Sequence, residues 1–262
     1  MRQGIRLLGG FGLCAGAAMF VASCSSDEPT AVDDKANCGP GPYAKVTGHV
    51  VEATASGTPR PKEDAVVTFA ICPDRSFKSD SEGIVRGNIT KGLAGSFRVE
   101  HPDELPGIFG EWKADADFEG NVTVVPKLFQ AIIAPDWTPE KTLVGLGVDY
   151  PQGTFDAGVP DGGPTDPCLR SEGVTFTLPE QPQAKFVYFA EAAPGQIPAL
   201  DPNATKTSSN GLASIVGLPD GVVLTPVATK AGCKLSGAHD GFTGRITPTK
   251  GYGLLFTFRM TK

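Results

Sequence analysis

Histidine is scarce in this chain: among 262 residues only His49, His101 and His239 occur, far apart. None sits in a His-Glu-x-x-His run, no serine has glycine at both minus two and plus two, and no Cys-x-x-Cys is present. The usual zinc-protease, nucleophile-elbow and thiol-pair zinc motifs are therefore missing. An excess of positive charge is missing as well, since 23 Lys and Arg face 29 Asp and Glu. Without a basic stripe to offset phosphate repulsion, nucleic acid is excluded as a natural partner. No stretch sustains an apolar i, i+3, i+4, i+7 pattern through three turns, which argues against long helices. Tryptophan occurs only twice, at Trp112 and Trp137.

Glycine (33) and proline (23) are plentiful instead. With many Val, Thr and Phe, they predict short strands joined by tight turns, an all-β chain.

The N-terminus gives an address. Arg2 and Arg6 are followed by an apolar run through Leu7, Leu8, Phe11, Leu13, Met19 and Phe20, then by Val21-Ala22-Ser23-Cys24. That order reads as a secretory signal over residues 1–23. The run is too short and too rich in glycine for a spanning helix. Val-Ala-Ser-Cys resembles the lipobox of bacterial lipoproteins, which implies cleavage before Cys24 and lipidation of its thiol. Residues 24–37 are polar, acidic and poor in large apolar side chains, so they read as a flexible tether. The resemblance implies a cell-envelope protein anchored to a membrane by acyl chains such as palmitate. The absence of aspartate at Ser25 favours the outer membrane where a host has two. Removing residues 1–23 takes away two arginines and no acids, so the formal charge moves from −6 to −8.

After the signal and Cys24 are set aside, Cys38, Cys72, Cys168 and Cys233 remain. Four cysteines in an exported chain predict two disulfides with three possible connectivities. Cys38–Cys72 and Cys168–Cys233 are favoured, one bridge within each half of the chain.

Residues 152–167 are rich in Gly, Pro and Asp and read as an exposed linker. They predict two domains, 38–151 and 168–262. In the first, Val46-Thr47-Gly48-His49-Val50 is followed by the proline-rich turn Gly57-Thr58-Pro59-Arg60-Pro61 and the apolar run Ala65 to Ala70. Asp80-Ser81-Glu82-Gly83 and Gly95-Ser96-Phe97-Arg98-Val99 come next. This order resembles the carboxypeptidase regulatory-like (transthyretin-like) domain. The resemblance implies a Greek-key β-sandwich and is nearly silent on activity. After the linker, Lys206 to Ala213 aligns with Lys78 to Val85, placing Gly211 on Gly83. The opening Val-x-Gly-x-Val has no counterpart after the linker. The expected fold class is thus all-β, with two Greek-key sandwiches of this type.

Candidate sites are few. His49-x-x-Glu52 has the spacing of a metallocarboxypeptidase zinc pair, but residues three apart on a strand face opposite ways. Asp115-Ala116-Asp117-Phe118-Glu119-Gly120 begins like a calcium loop, yet Pro126 stands at position twelve, where an acid is needed. No catalytic residue, metal or cofactor is expected. Trp112 and Trp137 are the candidate ligand-binding residues, since exposed indoles stack on sugars. The expected function is a non-catalytic structural, adhesion or protein-binding role at the envelope, with a carbohydrate-binding module as the alternative and an envelope hydrolase last. The expected partners are the membrane, through the N-terminal lipid, and an envelope protein or glycan.

Overall fold

The computed structural model describes residues 37–54, 58–149, 168, 170–193, 196–236 and 241–261. The signal segment, Cys24, nearly all of the tether, the expected linker and His239 lie outside these. Its elements are almost all strands, and the chain is an all-β sandwich protein.

The first half contains Asn37–Cys38 (β1), Tyr43–Glu52 (β2), Val66–Phe69 (β3) and Ile84–Thr90 (β4). Phe97–Glu100 (β5), Gly107–Phe109 (β6) and Phe118–Pro126 (β7) follow. One short helical stretch, Lys127–Phe129 and Gln130–Ile133, leads out of β7. The second half contains Leu143–Asp149 (β8), Thr175–Thr177 (β9) and Val187–Phe189 (β10). It ends with Ala213–Val216 (β11), Val227–Thr229 (β12) and Gly253–Thr261 (β13).

A six-stranded sheet runs β1-β4-β2-β7 and ends on Glu104–Leu105, with Arg60–Pro61 beside β2. A ten-stranded sheet begins at Leu200–Asp201 and runs β10-β11-β8-β13-β6-β5-β3 to Ser76–Lys78, with Lys234–Ser236 beside β13. The first core forms where these sheets face each other. Period-two alternation sends Ala44, Val46 and Val50 inward from β2 and Val67 and Phe69 inward from β3. Phe97 and Val99 from β5 and Val122 and Val124 from β7 join them. Phe69 and Phe97 meet with ring centroids 4.3 Å apart.

The second core uses the other face of the same large sheet. Ile108 registers with Leu254, Leu254 with Val144, and Val144 with Ile215. All four line the second core, with Phe176 from β9 and Phe256 and Phe258 from β13. Val99 registers with Gly107, the neighbour of Ile108, and lies in the first core. Adjacent strand residues point to opposite faces, so the sheet changes its buried face at β6. A third, smaller cluster of Leu105, Ala134, Trp137 and Leu143 forms near the short helical stretch.

The internal repeat is visible in the hydrogen bonds. Val50 N–H donates to the Gly83 carbonyl at 2.7 Å, and Val148 N–H donates to the Gly211 carbonyl at 3.1 Å. Gly83 and Gly211 have φ of +75° and +67°. A Cβ would lie 2.4 Å from the Val50 carbonyl oxygen at Gly83, and 2.6 Å from the Ser171 Cβ at Gly211. Asp80 Oδ1 accepts from the N–H groups of Glu82 and Ile84, as Asn210 Oδ1 does from Leu212. The strands around each glycine also correspond. β4 runs antiparallel to β2, as β11 does to β8, while β7 and β13 run parallel to them. β3 with β5 and β9 with β12 are matching antiparallel pairs.

β8 is therefore the opening strand of the second copy. The expected boundary at 151–152 put Leu143–Asp149 in the first sandwich, and the structure puts Val144, Leu146 and Val148 in the second core. The counterpart of the opening valine-glycine strand is Val144-Gly145-Leu146-Gly147-Val148, ahead of the Gly/Pro/Asp stretch rather than after it. In the sequence, that stretch comes between β8 and β9.

The halves are joined at β6 and β13, which pair in parallel. Residues 241–245 add a strap along 111–113. Lys113 N–H donates to Gly241, Thr243 N–H to Glu111 and Glu111 N–H to Arg245, each at 2.8–2.9 Å. Arg245 and Glu111 form an ion pair at 3.3 Å.

Candidate functional site

The first feature to consider is the place where the described chain enters the folded body. Asn37 and Cys38 pair in parallel with Asn88 and Ile89, so the first described strand is an edge of the six-stranded sheet. Two backbone registers would hold such an edge weakly. Cys38 adds a disulfide to Cys72, just beyond β3 in the opposite sheet, with Cα atoms 5.8 Å apart. Asn88 Nδ2 donates to Asn37 Oδ1 at 2.9 Å, and Thr90 Oγ1 donates to the Cys38 carbonyl at 3.1 Å. Cys38 is fully buried, so the staple belongs to the first core. Next to it lies an open depression lined by Asn37, Tyr43, Ile71, Pro73 and Arg75. The second disulfide, Cys168–Cys233, also forms, with Cα atoms 5.3 Å apart. Of the three connectivities, the favoured one is the one observed.

An ionic cluster lies under the turn after β2. Lys62 Nζ reaches Glu104 Oε1 at 2.5 Å and Glu52 Oε2 at 3.0 Å. Glu104 is 1% exposed, and its second carboxylate oxygen has no hydrogen-bond partner. Burial disfavours the charge on Lys62, and the hydrogen bonds to Glu104 and Glu52 outweigh it, so its pKa is raised above 10.5. Ser79 locks the same turn, donating to the Lys62 carbonyl at 2.7 Å and accepting from Ala65 N–H at 2.9 Å. The cluster clamps the β2 turn to the strand before β6. Neither Lys62 nor Glu104 belongs to a sequence motif; only the proline-rich turn beside Lys62 marks the neighbourhood.

The other candidates are dispersed. His49 Nε2 faces Glu119 at 3.6 Å while Glu52 turns to Lys62, so the two do not converge on a common ligand. Asp115 pairs with Lys113 at 2.9 Å, and Asp117 Oδ1 accepts from the Lys45 N–H. His101 Nδ1 accepts from the Asp103 N–H. Among the described residues, no three His, Cys, Asp or Glu side chains gather closely enough to hold a metal ion.

Trp112 and Trp137 are not exposed platforms. They are 3% and 6% exposed, which overturns their reading as ligand-binding residues and with it the stacking basis for a carbohydrate module. Trp112 packs in the first core against Phe97 and Phe118, each with ring centroids 5.7 Å away, and bridges to Phe242 on the strap. Trp137 packs with Leu105, Ala134 and Leu143, and its indole N–H donates to the Lys141 carbonyl at 3.0 Å. Both indoles fill gaps where elements of the two copies meet, and burial there outweighs display to solvent.

No family model and no curated protein match this chain. The resemblance to carboxypeptidase regulatory-like domains therefore stands on its motif residues alone. Similar solved structures include the Bacillus anthracis TIE protein, at 11% identity over 83% of this chain and 34% of that one, with a TM-score of 0.24. A streptococcal ancillary pilin gives 12% identity, 84% and 69% coverage and a TM-score of 0.26. GBS52, the minor pilin of Streptococcus agalactiae, gives 15%, 84% and 96%, and 0.22. The chain spans about a third of the length of the TIE protein. TM-scores this low carry no argument, so the all-β assignment rests on the strands and registers described above.

Proposed function

We propose that this chain is a lipid-anchored protein of the bacterial cell envelope with a non-catalytic structural or adhesive role. The observation that carries the reading is the way the tethered end is fastened. The lipobox-like Val21-Ala22-Ser23-Cys24 lies shortly before Cys38, and Cys38 is bonded to Cys72 in the turn that follows β3 of the opposite sheet. A load applied through the tether passes into both sheets by a covalent bond, not only through the two backbone registers of β1. Such a junction suits a body that must hold its fold while attached. An acidic mature chain with two disulfides fits an oxidising compartment outside the cytoplasm. In a host with two membranes, Ser25 favours the outer one.

The test is acylation. Cells fed a labelled fatty acid incorporate it into the wild-type chain, while Cys24→Ser abolishes labelling and leaves uncleaved precursor. Continued labelling of that variant contradicts the anchor.

A further inference from the structure

We infer that the end of the body carrying Ile71 and Leu93 is its membrane-facing end, docking against an anionic phospholipid surface; this rests on the lipid anchor proposed above. Thirteen residues carry the chain from Cys24 to Asn37, which caps the span at roughly 45 Å even when fully extended. The body is therefore held within that distance of the lipid, and its own surface decides which end is presented.

Two surface features coincide where Asn37 joins the body. Ile71 and Leu93 are large aliphatic side chains that are 38% and 39% exposed. They flank the disulfide. Ile71 lines the depression beside Cys72, and Leu93 lies next to Gly39. Arg75 and Lys91 are exposed on the same end, and neither forms an ion pair among the described residues. Asp74 is the opposing charge in the depression. Two exposed apolar side chains beside two unpaired cations and one acid, a local excess of one positive charge, suit an interface of acyl chains and anionic headgroups. The rest of the chain is acidic, and repulsion from such a surface turns it outward. The other exposed large aliphatic side chains among the described residues, Leu128 with Ile132, Val222 with Val223, and Val227, lie elsewhere in the chain and serve as internal controls.

The experiment is hydrogen exchange on the full lipidated chain bound to vesicles of phosphatidylcholine and phosphatidylglycerol at 7:3. Ile71→Glu/Leu93→Glu is the comparison, with Arg75→Glu/Lys91→Glu as a second variant whose changes are purely at the surface. The expected result is exchange about threefold slower in residues 71–75 and 91–94 of the wild type than in either variant. Residues 128–132 and 222–227 are expected to exchange alike in all three. Equal exchange in wild type and variants, or slowing at 222–227 instead, overturns the docking surface while leaving the anchor intact. A wild-type chain that fails to float with the vesicles overturns the anchor reading, and this inference with it.

Discussion

At the scale of single residues, Lys62 is the charge on which a buried carboxylate depends. It is the shared partner of two carboxylates, one of them almost completely buried. Lys62→Met leaves Glu104 charged in an apolar setting and is expected to cost about 3–5 kcal/mol in denaturant unfolding. Lys62→Met/Glu104→Leu removes both charges and is expected to recover most of that loss; an equally unstable double variant contradicts the ion-pair account. The pH dependence has a definite sign. The folded pKa of Lys62 is raised, so its contribution is fully present below the unfolded value of 10.5 and is lost as pH rises through the folded value. Unfolding midpoints measured on the alkaline side should fall more steeply for the wild type than for Lys62→Met. Gly83 offers a second comparison. Gly83 and Gly92 both have positive φ, but a Cβ at Gly83 meets the Val50 carbonyl and one at Gly92 meets nothing within 4 Å. Gly92→Ala is expected to cost about 1–2 kcal/mol from backbone conformation alone. Gly83→Ala should cost clearly more, and equal losses would show that the close approach to β2 is not real.

At the scale of elements, the two disulfides fix what short strands cannot. Cys38–Cys72 closes 34 residues and Cys168–Cys233 closes 65. Replacing either pair with serine is expected to destabilise the body by about 4 kcal/mol on the loop-entropy model, read as a lower midpoint under non-reducing conditions. Only the first replacement should also loosen β1, seen as faster exchange at Cys38 and Ile89. A variant that unfolds at the wild-type midpoint contradicts a stabilising staple. Much at this scale was legible in the sequence. The cysteine pairing was favoured as one bridge within each half, while the strand-rich composition and the Asp80–Gly83 turn follow from local chemistry of a few neighbouring residues. The position of β8 was not legible. Its Val144-Gly145-Leu146-Gly147-Val148 pattern reads as a strand, but nothing local says that its hydrogen-bond partners are Ala213–Val216 and Gly253–Thr261. The Gly/Pro/Asp stretch looked like a boundary because composition reports exposure and says nothing of which core the flanking strands enter. The indoles were ambiguous for the same reason: a scarce tryptophan reads alike as a binding platform or a buried plug until the opposing elements are placed. Glu104 gave no signal, since its burial depends on Lys62 arriving from a distant turn.

At the scale of the whole molecule, the two copies are joined through a single ten-stranded sheet that buries one face in the first core and the other in the second. The switch occurs between Gly107 and Ile108, and β6 is the strand through which β5 and β13 are connected. β8 registers with β13 over seven residues, so the second core depends on a segment that precedes the Gly/Pro/Asp stretch. Cutting the chain in that stretch should therefore not release two independent domains. The most direct test is to place a specific protease site between Gly162 and Gly163, cleave the native protein, and follow it by size-exclusion chromatography and thermal unfolding. The account predicts that the nicked halves stay together at the size of the intact body, and that residues 168–262 prepared alone lack a cooperative transition. Spontaneous separation into two fragments that each unfold cooperatively would contradict the shared sheet.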